Sequence, residues 1–153
     1  MRYLTTKIEG WLAWAAALCW IAAWFLPVIE DYSGWAAFRA ALGGPFRDPF
    51  PVGGEEAVPQ VLSALTNVVF ALMFMTWLRA RLTQPVLFLK IAIACLLLNS
   101  YWLVQMLRAG KASGLLVGYY VWLAAFALLV AVGVISVVSA RRTSKTPTAG
   151  TPA

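Results

Sequence analysis

Gln60, Ser63 and Asn67 recur at i, i+3 and i+7 inside an otherwise apolar stretch, and Asn99 and Ser100 interrupt a second one. Amides and hydroxyls of this kind donate and accept hydrogen bonds without carrying charge, so the chemistry they offer is recognition rather than bond cleavage. On a helix the first three share one face. Tyr119 and Tyr120 open a third apolar stretch and bring two phenols that reach down toward the same level. Gln60, Ser63, Asn67, Asn99, Ser100 and Tyr120 are therefore the candidate ligand-binding residues. The alternative for Asn67 and Asn99 is structural. They would contact each other, or share one partner, and clamp their two helices with bonds worth about 0.6–2 kcal/mol.

Other chemistries find little support. The chain has no histidine, which removes ordinary His-ligated haem, His-based zinc sites and Ser-His or Cys-His nucleophile pairs. Its paired carboxylates are the neighbours Glu30-Asp31 and Glu55-Glu56, and adjacent side chains point in different directions. Cys19 and Cys95 lie in mid-run, where small packing residues are expected and a redox pair is the alternative. Proton-coupled transport normally uses an ionisable group inside the membrane. Here Glu9 sits at the edge of a run and the other acids lie outside the runs, which disfavours a small multidrug-type transporter. No metal, cofactor or catalytic residue is expected.

The elements that must position these groups follow from composition. Hydrophobic residues make up 62% of the chain and charged residues 12%, and mean hydropathy is +0.79. A soluble domain averages roughly half apolar and a quarter charged. A bilayer core about 30 Å thick takes roughly 20 helical residues at about 1.5 Å each. Four runs meet that length, at about 10–29, 58–78, 85–107 and 114–140, with Pro85 suited to a first helical turn. The first run exceeds a signal-peptide core, and Ala16-Ala17-Leu18-Cys19 has Leu18 where a lipoprotein box has a small residue. It reads as an uncleaved helix. The predicted fold class is an all-α integral membrane four-helix bundle over residues 1–142, with 143–153 a Thr- and Pro-rich disordered tail.

Between the first two spans, Gly34 to Leu42 predicts a short amphipathic helix at the outer surface, with Ser33 as its N-cap and Gly43-Gly44 as its stop. Trp35, Phe38 and Leu42 share its apolar face, against lipid or the bundle, while Arg39 turns away. Pro45 to Pro51 is too proline-rich for helix. Trp24, Trp35, Phe38, Trp102 and Trp122 form the expected membrane-interface set, since aromatic rings favour that zone. Trp20 lies too deep for it and is expected against small residues such as Ala127 and Ala131. Asn67 and Asn99 each fall about eight or nine residues from the outer ends of their helices, roughly 12–14 Å below the boundary.

Lys and Arg in short flanks set orientation. With the N-terminus inside, Arg2, Lys7, Arg79, Arg81, Arg141, Arg142 and Lys145 give seven inside, against Arg39, Arg47, Arg108 and Lys111, four outside. Both termini are expected in the cytosol, with Lys90 snorkelling from the third span. The net charge of +6 is thus explained by lipid phosphates rather than nucleic acid. Leu26-Pro27, then Gly34-Trp35-Ala36-Ala37-Phe38, and later Gly118-Tyr119-Tyr120-Val121-Trp122-Leu123, resemble a loose group of small bacterial four-helix inner-membrane proteins. The resemblance implies a bacterial cytoplasmic membrane and supplies no activity or site residues. The function expected is that of a non-enzymatic accessory or interaction protein of the bacterial inner membrane. Its partners would be the bilayer and another membrane protein or a second copy. The alternative is a small transporter or ligand-binding protein using the polar cluster.

Overall fold

Proline shapes the first span. Pro27 has no N–H to donate and disfavours helical geometry in the residue before it. In a computed structural model that describes residues 2–29, 32–43, 54–79 and 84–144, helix α1 (Arg2–Phe25) accordingly stops at Phe25, with Leu26 N–H bonded back to Ala22. The run expected to reach residue 29 is therefore shorter at this end. Pro27–Ile29 instead forms strand β1, paired antiparallel with β2 (Tyr32–Ser33). Ile29 also bridges to Leu115, and Leu116 N–H donates to Val28 at 2.9 Å, which covers the outer edge of this small hairpin.

The remaining elements start and stop on local signals. Helix α2 (Gly34–Gly43) begins beneath Ser33, whose hydroxyl accepts from Ala36 N–H at 3.4 Å in the expected N-cap. Helix α3 (Gly54–Arg79) starts a turn earlier than the apolar run and carries Pro59 within it. Helix α4 (Pro85–Arg108) has its proline in the first turn. It ends in a Schellman arrangement. Gly110 takes φ +67°, its N–H bonds Leu107, and Lys111 N–H bonds Met106 at 2.9 Å. A 3-10 turn over Ala112–Gly114 precedes α5 (Val117–Ser144), so the fourth helix begins after the expected residue 114 and runs past 140. The proline-rich segment 45–51 and nearly all of the expected tail lie outside the described residues.

Four stretches, Lys7–Phe25, Val58–Arg79, Pro85–Arg108 and Val117–Arg142, are long and apolar enough to cross a membrane. The side chains they turn outward are apolar too: Trp11 is 77% and Phe25 80% exposed. That pattern is costly in water and ordinary in lipid, and the chain is an all-α, multi-pass four-helix membrane bundle.

Helix α5 is the centre of the bundle and packs most closely on α1 and α4. Small residues allow this. Ala13, Ala16, Ala92 and Ala125 are buried, and a Cβ on Gly133 would sit 3.1 Å from Leu89 Cα. Helix α3 lies against α2 and α4 and meets α1 and α5 through large rings instead. Phe70 stacks on Trp20 with centroids 5.1 Å apart and meets Phe126 edge-on at 5.4 Å, while Phe74 meets Trp14 at 5.5 Å.

Two glycines close the hairpin end. A Cβ on Gly34 would overlap the carbonyl oxygen of Ala23, and one on Gly118 would lie 2.6 Å from that of Pro27. Gly118→Ala should therefore destabilise by about 1–3 kcal/mol or more. Gly10→Ala, with nothing within 4 Å of the added carbon, should be neutral or stabilise by about 0.5–1 kcal/mol. Unfolding in mixed micelles titrated with SDS measures both, and similar effects at the two positions would contradict the close approach at Gly118.

Candidate functional site

Seen from the helix axis, consecutive residues on α3 diverge by about 100°, and this separates its polar groups into two sets. Ser63 and Thr66 face α4. There the fully buried Asn99 accepts from Ser63 Oγ at Oδ1, 2.8 Å, and donates from Nδ2 to Thr66 Oγ1, 3.1 Å. The Thr66 hydroxyl in turn donates to the Ser63 carbonyl. Asn67, about 100° round the axis from Thr66, turns toward α1 and α5. Its Oδ1 accepts two indole N–H groups, from Trp20 at 2.9 Å and Trp122 at 3.0 Å, so that α1, α3 and α5 meet at one oxygen. Its Nδ2 donates to the Ala64 carbonyl at 3.1 Å.

The expected contact between Asn67 and Asn99 is thus not formed, and they share no partner. A count along each helix says nothing of azimuth, and azimuth decides contact: Thr66 stands where Asn67 was expected. A clamp between α3 and α4 does exist, made by Asn99 with Ser63 and Thr66. Thr66 was overlooked, although a hydroxyl three residues after Ser63 was its signal. Trp20 also differs from expectation: it stacks on Phe70 and bonds Asn67, while Ala127 is exposed.

Tyr119, rather than Tyr120, is the phenol that enters. Tyr119 is 2% exposed and Tyr120 46%. Tyr119 Oη donates to the Asn99 carbonyl at 2.7 Å and accepts from Leu103 N–H at 3.1 Å. Those are the two groups that an undisturbed helix pairs directly, so the phenol is inserted into the backbone ladder of α4. Ser100 is spent within its own helix, donating to the Leu96 carbonyl at 2.8 Å.

Beside this cluster, at the hairpin end, lies a cavity of about 180 Å³. Ser63, Ala64 and Asn67 of α3 border it, with Gln60 one turn nearer the hairpin. Gly34, Ala37, Phe38 and Ala41 of α2 form one wall. Ala23 and Trp24 of α1, Val28 and Ile29 of β1, Trp102 and Met106 of α4, Leu115, and Tyr119 and Trp122 of α5 supply the rest. The face that α2 turns to the cavity is 34, 37, 38 and 41, at helical spacing, while Trp35 stacks on Phe38 and packs on Trp24 of α1 beside it. Trp35 lies outside the cavity, 53% exposed, and Arg39 is exposed as expected. Of the candidate ligand residues, Gln60, Ser63 and Asn67 border the cavity; Asn99, Ser100 and Tyr120 do not. No Asp, Glu, Lys or Arg is among its described lining residues.

At the opposite end of the bundle Glu9 is half-buried. Its Oε1 accepts from Trp77 Nε1 at 3.3 Å and from Ser136 Oγ at 2.9 Å, which joins α1, α3 and α5 a second time. Cys19 and Cys95 are free thiols. Among the described residues no group of three His, Cys, Asp or Glu side chains could hold a metal ion. The chain matches no protein-family model, no curated protein and no solved structure.

The two polar sets should respond separately to substitution. Asn99→Leu should cost about 1–3 kcal/mol by stranding its buried hydroxyl partners. A double-mutant cycle of Asn99→Leu with Thr66→Ala should show a coupling of about 0.5–3 kcal/mol, whereas Asn67→Leu with Asn99→Leu should add to within about 0.5 kcal/mol. Equal coupling in the two cycles would mean that the sets are one network.

Proposed function

We propose that this chain is a ligand-binding protein of the bacterial cytoplasmic membrane, non-enzymatic, with both termini in the cytosol and the hairpin end at the outer face. The cavity carries this reading. All four membrane helices, α2 and the hairpin contribute to its wall, and among the described lining residues no nucleophile is paired with a general base. Support for orientation comes from the seven-to-four distribution of Lys and Arg. The broader alternative is an accessory protein that acts by contact with another membrane protein. In its favour is the internal bonding of Asn67 and Asn99, which leaves both amides serving the bundle.

Two measurements bear on this. Reporter fusions after Ala153 and after Arg81 should be active only in the cytosol, and one inserted at Gly53 only outside. A C-terminal fusion active only in the periplasm would overturn the orientation. For the cavity, Trp24, Trp102 and Trp122 on its wall supply an optical readout. With the protein in nanodiscs, 4-bromotoluene should quench tryptophan fluorescence saturably. Ala64→Phe, which fills the cavity, should remove the saturable part and leave only the linear quenching of lipid-facing tryptophans. Identical curves for the two proteins would dismiss the cavity as a binding site.

A further inference from the structure

We infer that the cavity takes an uncharged, ring-sized apolar group bearing a hydroxyl, and that Gln60 selects for that hydroxyl. The inference rests on the cavity's being a ligand site and names the chemistry it accepts.

Size sets the first limit. An apolar cavity of about 150 Å³ is known to hold benzene, and this one measures about 180 Å³. A single substituted ring fills it, or one end of a longer molecule. The walls set the second. Rings of Trp24, Phe38, Trp102, Tyr119 and Trp122 offer faces and edges to another ring. With no charged side chain among the described lining residues, an ion would enter without a counter-charge, at a large desolvation cost.

Hydrogen-bonding capacity sets the third limit, and it singles out one residue. Asn67 Oδ1 already accepts from two indoles, and the Ser63 hydroxyl commits its proton to the bond with Asn99 and can now only accept. The Tyr119 hydroxyl is placed in the α4 ladder. Gln60 alone among these polar side chains has no hydrogen bond to a described residue. The indoles of Trp24 and Trp102 can only donate, whereas the Gln60 amide offers both a carbonyl acceptor and N–H donors. A ligand hydroxyl, which must donate one bond and can accept another, finds both an acceptor and a donor on that one side chain.

The test compares 4-bromophenol with 4-bromotoluene, which differ by hydroxyl for methyl and are both uncharged at neutral pH. Saturable tryptophan quenching is read on the full chain in nanodiscs, at equal probe concentration in the membrane, with the Ala64→Phe signal as background. The wild type should bind the phenol about 3–10-fold more tightly. Gln60→Met, similar in shape but without the amide, should bring the ratio to about unity while 4-bromotoluene still saturates. Gln60→Asn, which withdraws the amide by one methylene, should fall between and serves if the Met variant does not fold. A wild-type ratio of unity, or a ratio unchanged in Gln60→Met, overturns the selectivity; saturation by 4-bromotoluene then shows that the site itself stands. Tighter binding of 4-bromophenyltrimethylammonium than of either neutral probe overturns the exclusion of charge. No saturable quenching by any probe removes the ligand site, and this inference with it.

Discussion

Inside hydrocarbon a polar group has no water to bond, so each one must find its partner in the protein. The bundle is arranged around that requirement. None of the described buried side-chain nitrogen or oxygen atoms lacks a partner. The few polar groups are consequently the points at which helices are joined. Asn67 ties α3 to α1 and α5 through two indoles, Asn99 ties α4 to α3, and Glu9 repeats the three-helix junction at the far end. Each such bond is modest, about 0.6–2 kcal/mol in a membrane. Their value lies in fixing which residues face each other, because apolar side chains gain little by leaving lipid for one another.

How α3 is held also explains why there is a cavity. Where α5 meets α1 and α4, alanines and Gly133 let the backbones approach and leave no room between them. Helix α3 joins α1 and α5 through indole and phenyl rings, which act as spacers. At mid-depth Phe70 fills the gap between Trp20 and Phe126. Nearer the hairpin α3 presents Gln60, Ser63 and Ala64 in place of a ring. The space is roofed by α2, which Gly34 seats directly on the end of α1.

Sequence carried much of this and failed where direction around an axis mattered. Length and apolarity located the four spans, the Pro85 start of α4 and the Ser33 cap of α2. The hairpin was hidden because Pro27-Val28-Ile29 is apolar and extends the first run without a break in hydropathy; only the proline marked the end of the helix. Depth could be counted along each helix, which placed Asn67 and Asn99 at one level. Rotation about each helix depends on tertiary packing, so the same count could not tell Tyr119 from Tyr120, or Thr66 from Asn67, as the residue that meets α4. The cavity face of α2 was missed for a related reason. Bulky Trp35 and Leu42 dominate a hydropathy pattern, but Ala37 and Ala41 are what allow α2 to lie close over the bundle.

Tyr119 connects the cavity to the clamp. Its ring forms part of the cavity wall, while its hydroxyl stands between the Asn99 carbonyl and the Leu103 amide. A side chain inserted into a helical ladder is a recognised cause of local bending. Here it lies in the turn that follows the Asn99 clamp. Moving the ring would break both of its bonds at once and leave the phenol without a partner in hydrocarbon, even where the Asn99 carbonyl and the Leu103 amide close on each other as in an undisturbed helix. The wall at this point is therefore stiff, and a ligand must fit the space that Tyr119 leaves rather than displace it. On the opposite wall Gln60 carries no such double commitment, so its amide is the part of the site that can turn to meet a ligand at little cost.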